Sequence, residues 1–451
     1  MKYLINQEKA RELNLEGQRL VRALSTEPSK AVDSPGRFHP NYLTTIASLR
    51  KNETPQHWVN PTIGTDGFEV ARSFPDVDPP IGFYGQSHQS FIELCRRVFE
   101  SIELEETVSE TFIVESCFEW MRQRHLNKTD TPLTEYVFRR CERNVAIQEV
   151  WLPLVDIRVA FEIRIGRVSL KPVTHADWRR WVSEWQSRQP VAIPDLRRFL
   201  LGVESEGITV VTCRVTAEPI RAIEIALKEV EAVLDVLRYY SPSNRYPAMP
   251  AYCSIAGREQ IDKPKHLIIQ NAVLVSAGTT VASMRAQHAW PINEDLISKM
   301  KEVGFDTLVA LLDTPTTARS ELQNDFFRAL TIYSKSCIAQ SLTEKLLYAV
   351  LTLECVLLQD ESESLQKHIG ERMAFMIGKS LDHRIAIAAN YKKAYALRSG
   401  VVHHGRQITE ESILNEFMPN AWFTLNWIVE NFEKFKSKQE MIEYIDDMKF
   451  N

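Results

Sequence analysis

The chain has 451 residues, 44% hydrophobic and 25% charged, which places it among globular proteins and excludes disordered, collagenous and coiled-coil classes for the chain as a whole. At roughly 100–200 residues per domain, that length suggests about two to four domains. With 54 Lys and Arg against 59 Asp and Glu the formal net charge is −5, so nucleic acid is not bound by bulk charge and any such contact needs a local patch.

The first ~85 residues are weakly patterned: a polar, basic helix is predicted over Gln7–Leu24, and a Pro/Ser-rich stretch follows from Thr26 to Pro40. From Gln86 to Gln148 the apolar spacing is helical, with Phe91, Leu94, Cys95, Val98 and Phe99, then Phe112, Val114, Phe118 and Met121. Thr131-Pro132 reads as a helix start, with Thr131 as cap and Pro132 in the first turn. Period-two alternation through Ile157, Val159, Phe161, Ile163 and Ile165 predicts a strand. Trp178, Trp181 and Trp185 fall on one helical face. Gly207–Val215 reads as a strand, Pro219–Tyr239 as a strong helix, and His266–Ser276 as a further strand. Scarce glycine, 16 residues against roughly 30 at average usage, leans the rest toward helix.

From Thr314-Pro315 onward the pattern is almost continuously helical. Helices are predicted near Ala318–Ala339, Leu342–Gln359, Glu363–Ser380, His383–Val402 and Ile408–Phe435, with a short tail helix. Their short connections favour an up-and-down bundle. The most apolar stretch, Tyr348–Leu358, is about 11 residues long and carries Glu354, too short and too polar to span a membrane. The first residues lack the apolar core of a secretory signal. The seven cysteines are widely spaced with no Cys-x-x-Cys, so they read as reduced thiols in a cytoplasm and not as a disulfide or zinc framework.

The most informative stretch is Tyr391–Arg406, which contains Arg398-Ser399-Gly400-Val401-Val402-His403, an Arg-x-x-x-x-His motif late in the helical region. It lies near a helix end, with a polar Ser399 after the arginine and Gly405 after the histidines, and the upstream helix carries Leu351-Thr-Leu-Glu354-Cys-Val-Leu-Leu. In these features, over about Glu321–Phe435, the chain resembles Apea-like HEPN domain proteins. The resemblance implies a metal-independent endoribonuclease without cofactor, in which two copies meet and their Arg/His motifs form one composite site. It also implies a role in phage defence by damaging RNA in the infected cell, with a phage-derived trigger.

The residue chemistry agrees. RNA supplies its own nucleophile, the 2′-hydroxyl, so cleavage needs a base, an acid and positive charge on the phosphorane. Histidine, whose reference pKa is ~6.5, serves as acid or base near neutrality, worth roughly 10²–10⁴ in rate. Arginine stays charged and offers a planar fork to phosphate oxygens. Catalytic roles therefore fall to His403 as acid/base and Arg398 as phosphate clamp, with Ser399 and His404 in support. The doubled histidine leaves the essential one open between His403 and His404. On an ideal helix, residues five apart stand about 140° apart, so Gly400 and Gly405 are expected to unwind the last turn and bring Arg398 and His403 to one cleft. Tyr391, Tyr395, Arg398 and Val402 share a face that reads as core, as dimer interface or as an aromatic platform for a base. Residues 379–406 hold six basic residues against one acidic, which puts Lys392, Lys393, Arg406 and Tyr395 forward as RNA contacts. Glu354 reads either as a buried acid holding Arg398 or a histidine, or as an idle residue at the bundle edge. Arg372 reads as a surface ion pair with Glu371 or Glu363, and Trp178-Arg-Arg-Trp181 as a core helix before a nucleic-acid reader. No phosphate-loop motif occurs.

The sequence thus predicts an α+β protein: residues 1–145 mostly helix and loop, 146–315 a mixed α/β sensor or regulatory domain, and 316–451 an all-α HEPN-like ribonuclease bundle. It is expected to be cytoplasmic and without membrane contact, to act on RNA, and to assemble as a homodimer or higher homo-oligomer. The alternative is a non-catalytic HEPN-like module for dimerisation, or for RNA or nucleotide sensing.

Overall fold

A computed structural model describes residues 5–26, 60–63, 69–74, 81–101, 106–174, 176–177, 180, 183, 209–249, 253–256, 258, 265–270, 273–279, 290–359, 365–408 and 411–449. The chain divides into two compact units, one of residues 1–150, 181–192 and 214–227, the other of 151–180, 193–213 and 228–451. The helices predicted over 316–451 therefore share a unit with residues 228–315. Trp178, Trp181 and Trp185 lie outside the described residues. Among the described residues no helix is long and apolar enough to cross a membrane.

The first unit joins helices to a sheet. Helices α1 (Gln7–Arg22), α2 (Gln86–Glu100), α3 (Glu110–His125) and α4 (Leu133–Asn144) accompany strands β1 (Ser25–Thr26), β2 (Asn60–Ile63), β3 (Glu69–Phe74) and β4 (Ile81–Tyr84). The strands form an antiparallel sheet in the order β1-β4-β3-β2. Phe74 and Phe83 from the sheet stack on Phe118 of α3 and Phe91 of α2, at centroid distances of 4.4 and 4.7 Å. All four rings are buried, each worth about 1.5–3 kcal/mol of apolar transfer. Strands β2–β4 stand where the sequence predicts loops. The reason lies in β3, which turns Glu69 and Arg72 inward together with Ala71 and Phe74 and so hides the usual alternation. Those buried charges satisfy each other: Arg72 donates Nε and Nη2 to Glu69 at 2.7 and 2.8 Å, and His88 Nε2 lies 3.2 Å from the same carboxylate.

The start of α4 differs from its prediction. Pro132, not Thr131, is the cap residue, its ψ of 149° being extended. Asn14 of α1 takes over the capping role by accepting from the Thr134 N–H at 3.0 Å.

Strands β5 (Ala146–Val155), β6 (Ile157–Val159), β7 (Ile163–Ile165) and β8 (Val168–Pro172) replace the single strand predicted through Ile165, and β9 (Thr209–Ala217) falls on the strand predicted over Gly207–Val215. The break falls at Asp156, whose φ of 59° turns the chain between β5 and β6. Of the predicted inward residues Ile157, Val159, Ile163 and Ile165 are buried, and Phe161, between β6 and β7, is half-buried. A five-stranded sheet runs β10-β5-β9-β8-β7, where β10 is Ser254–Ile255. Strands β11 (Lys265–Gln270) and β12 (Val273–Thr279) form a hairpin over the predicted 266–276 strand, and β13 (Trp290–Ile292) pairs parallel with β6.

Helix α5 spans Pro219–Tyr239, as its periodicity predicts. Two short helices follow, α6 (Glu294–Lys301) and α7 (Phe305–Asp313). Gly304 caps α7 with φ of 87°, and a Cβ there would meet Val429 at 2.8 Å, so only glycine fits without repacking. The helical region then comprises α8 (Glu321–Ile338), α9 (Leu342–Leu357), α10 (Leu365–Ile377), α11 (Leu381–His404), α12 (Ser412–Glu430) and α13 (Lys438–Asp447). Four of these start at a serine whose hydroxyl accepts a first-turn N–H: Ser320, Ser341, Ser380 and Ser437. Helix α8 packs along α9 and α10 along α11, while α11 also contacts α9 and α12. The chain is thus a mixed α/β N-terminal region followed by a helical C-terminal region.

Candidate functional site

Helix α11 carries the motif. Tyr391 and Ala394 face the bundle core, Tyr395, Arg398 and Ser399 are half-buried, and Lys392 and Lys393 are exposed. The Tyr391 and Tyr395 rings lie 6.2 Å apart, and the Arg398 guanidinium sits 5.7 Å from the centre of the Tyr395 ring. The predicted shared face of Tyr391, Tyr395 and Arg398 therefore exists, with Tyr391 turned into the core against Phe417 at 6.2 Å. Val402, the fourth member, is exposed.

Glu354 comes from the last turn of α9, on a helix whose Leu346, Val350, Leu353 and Leu357 are buried. Its Oε1 stands 3.8 Å from Arg398 Nη2, the ion pair of the site. That oxygen is shielded from solvent and has no hydrogen-bond partner. Burial pushes the Glu354 carboxyl above the ordinary carboxylate range, and the nearby Arg398 charge pulls it partly back. Burial, then the field of Glu354, raises the Tyr391 phenol, whose buried hydroxyl also lacks a hydrogen-bond partner. Arginine, acid and two tyrosines thus form one cluster.

The histidines do not join it within one chain. The expected unwinding at Gly400 is absent: α11 stays helical through His404, and Gly400 is an ordinary helical residue. The helix ends at Gly405 instead, whose φ of 64° lets its N–H close on the Val401 carbonyl at 2.9 Å. The Arg406 N–H folds back to the Gly400 carbonyl at 3.3 Å, and a Cβ on Gly400 would make only an ordinary contact with Arg406 Cδ at 3.6 Å. Continued helix keeps the ladder bonds of the last turn, which offset the roughly 1 kcal/mol that a helical glycine costs. Arg398 and His403 consequently stand about 140° apart around the axis and about 7.5 Å along it. His403 and His404 are exposed, with ring centres 6.5 Å apart. Among the described residues no hydrogen bond or ion pair links either of them to Arg398 or Glu354.

Arg372 is not the surface residue the sequence suggests. It is buried in α10, donates to the Leu357 carbonyl at 2.6 Å, and pairs with Asp446 of α13 at 2.8 and 3.2 Å. Among the described residues the carboxylate it meets is Asp446, on the tail helix, and Glu363 lies outside the described residues. Sequence reading also passes over Lys345, a buried ammonium at the foot of α8 that donates to Ser243 Oγ at 2.5 Å and to the Ser336 carbonyl at 2.9 Å. Its signal was a lone lysine on the apolar face of Leu346–Leu353. Compared with known proteins, the chain matches no family model, no curated protein and no solved structure.

Proposed function

We propose that the chain is a metal-independent endoribonuclease of HEPN type that cleaves RNA as a cytoplasmic anti-phage effector, from a composite Arg/His site completed by a second copy. The observation that carries this reading is the pairing of Arg398 with the half-buried Glu354, one helical turn and a half below two exposed histidines at the open end of α11. Arg398 is anchored on one side by an acid and on the other by Tyr395, which fixes a fork for a phosphate oxygen. His403 and His404 reach solvent, where an RNA strand can approach. The basic run of residues 379–406 supplies attraction in an otherwise acidic chain, with Lys392, Lys393 and Arg406 exposed.

The 140° divergence of Arg398 and His403 on one regular helix favours a site shared between two copies. Leu381 and Ile385, one turn apart near the start of the same helix, are 72% and 58% exposed, an apolar patch of the kind a second copy covers, and Val402 near its other end is 52% exposed. In the reaction, a histidine removes the proton of the 2′-hydroxyl, and the oxygen attacks the adjacent phosphorus. Arg398 neutralises the phosphorane oxygens. A protonated histidine hands its proton to the departing 5′-oxygen, leaving a 2′,3′-cyclic phosphate and a 5′-hydroxyl end. A phage-derived signal acting through the α/β region restrains or releases the activity.

The test is incubation of wild type, Arg398→Ala, His403→Ala and His404→Ala with mixed cellular RNA in excess EDTA. Cleavage by wild type, lost with Arg398 and with one of the two histidines, supports the reading and resolves which histidine acts. The exposure of both histidines, with neither linked to Arg398 within one chain, favours the second reading, a non-catalytic module for dimerisation or for RNA or nucleotide binding. Tight RNA binding with intact RNA afterwards, also when the protein is expressed during phage challenge, decides for that second reading.

A further inference from the structure

A cleft of about 460 Å³ lies apart from the α11 motif, between α5, the segment before α8, and the first turns of α8. Its walls are Ala232 and Asp235 of α5, Thr316 and Arg319 of the segment, and Asn324, Phe327, Arg328 and Thr331 of α8. The size falls within the roughly 300–1,000 Å³ of small-molecule sites, and most of the lining is apolar, with a few converging polar groups.

Arg319 is the group that gives the cleft a chemistry. Its guanidinium lies 4.5 Å from the centre of the Phe327 ring, and its Nε donates to the Leu311 carbonyl at 2.9 Å. These two contacts fix the plane of the fork and use one donor of five. No carboxylate of the described residues pairs with it. Burial depresses the Arg319 pKa, and the field of Glu229, whose carboxylate lies 4.0 Å from Arg167, restores only part of it. Such a cation has lost water without gaining a counter-ion. The other charges of the cleft are spoken for. Arg328 pairs with Asp325. Asp235 accepts from Thr331 at 2.9 Å and lies 3.4 Å from Arg238. Asn324 donates to the Thr316 carbonyl at 3.0 Å, which leaves its carbonyl oxygen for a ligand hydroxyl or amine.

We propose that this cleft binds a small organic oxyanion, a phosphate monoester or a carboxylate, through the free Nη groups of Arg319, with the ligand's apolar body against Phe327 and Ala232. The excess positive charge selects the anion, and the volume selects an organic molecule over a bare ion. A purely structural Arg319, tying the end of α7 through Leu311, would need neither the cleft nor the unused donors. The inference is independent of the ribonuclease reading.

Calorimetric titration of the full chain with AMP, phenylacetate and uncharged adenosine tests it. Binding of AMP, phenylacetate or both, with adenosine at least about tenfold weaker, is the expected result, and the preferred anion identifies the source chemistry. Arg319→Gln should weaken that binding about tenfold or more, the loss of a charge-assisted fork. Ala232→Phe fills the opposite wall and should abolish it, which keeps the test decisive where Arg319→Gln fails to fold. Arg328→Gln and Arg398→Ala should change it less than about threefold. No binding of either anion at about 5 mM, a Kd weaker than any useful site, overturns the proposal. So does AMP binding that survives Ala232→Phe, or that is lost with Arg398→Ala.

Discussion

The Arg398 guanidinium stands 3.8 Å from a Glu354 carboxylate oxygen that is cut off from water and accepts no hydrogen bond. The acid therefore holds the arginine by charge alone and pays for its burial with a carboxyl raised above the ordinary range. A carboxylate whose folded pKa is raised destabilises the fold once the solution pH exceeds its unfolded value, and the penalty grows until the folded value is passed. Glu354→Gln removes that penalty while keeping the shape. The expected outcome at pH 7 is unchanged or slightly higher stability, by up to about 1 kcal/mol, measured in urea. RNA cleavage should nevertheless fall about tenfold, because Arg398 loses its anchor. Glu354→Asp, which restores the charge, should recover part of the rate. A positioning role requires that split between stability and rate, and parallel losses in both would mean that Glu354 is only structural.

The exposed apolar residues of α11 make a second expectation. Leu381→Asp with Ile385→Asp places two charges on the face that the second copy is proposed to cover. Neither side chain contributes to the core, so thermal stability of the monomer should shift by less than about 1 kcal/mol. Sedimentation should show dimer converted to monomer, and cleavage should disappear with the dimer. A wild type that sediments as a monomer while cleaving RNA would sink the composite-site reading.

The long helices were legible because apolar periodicity over sixteen or more residues leaves little choice. Pro219–Tyr239 has the predicted limits, and Leu342–Leu357 and Leu381–His404 differ from theirs by two residues at each end that moved. Boundaries slipped where a cap decided them: α8 starts at Glu321, three residues after the predicted Ala318 onset, because Ser320 and Gln323 close a reciprocal capping box. The β3 strand was hidden by Glu69 and Arg72, whose mutual pairing lets charged residues occupy inward positions. At the candidate site, the shared face of Tyr391, Tyr395 and Arg398 followed from helical spacing. The path of the chain at Gly400 did not, because glycine permits unwinding without requiring it, and the helix instead continues to Gly405, where the Arg406 N–H closes back on the Gly400 carbonyl.

Arg372 gives the largest expected stability effect. Its guanidinium is 1% exposed and ties the Leu357 carbonyl at the end of α9 to Asp446 of α13. Arg372→Ala removes this donor from the Leu357 carbonyl and leaves Asp446 to Lys449, and should cost about 3 kcal/mol or more by urea unfolding. Asp446→Asn leaves the arginine its carbonyl partner and should cost about 1–2 kcal/mol. Burial pushes the Asp446 carboxyl up, but hydrogen bonds from Arg372 and Lys449 outweigh it and hold the group below its ordinary range. A depressed carboxylate contributes stability above its unfolded pKa and loses it as pH falls through the folded value. The difference in stability between wild type and Asp446→Asn should therefore be constant above about pH 5 and shrink as pH falls below the ordinary aspartate value.

Lys345 has the opposite signature at alkaline pH. Its ammonium is buried, and burial lowers its pKa to about 8, with the Cys337 thiol acting weakly the other way. The folded protein therefore sheds this proton before the unfolded chain does. Between about pH 8 and the ordinary lysine value the unfolded state holds more protons, so this group's contribution to stability rises with pH there and is flat below. Neighbouring buried thiols, Cys337 raised to about 11 and Cys253 to about 12, titrate in the opposite sense and mask the effect in wild type alone. The informative quantity is the difference between wild type and Lys345→Met in urea unfolding from pH 7 to pH 10. It should move in favour of wild type by about 2 kcal/mol over that range, since each unit of pKa shift is worth about 1.4 kcal/mol. A difference that stays flat would mean that Lys345 keeps its proton, held by the Ser243 hydroxyl and the Ser336 carbonyl as a permanent cation at the end of α8.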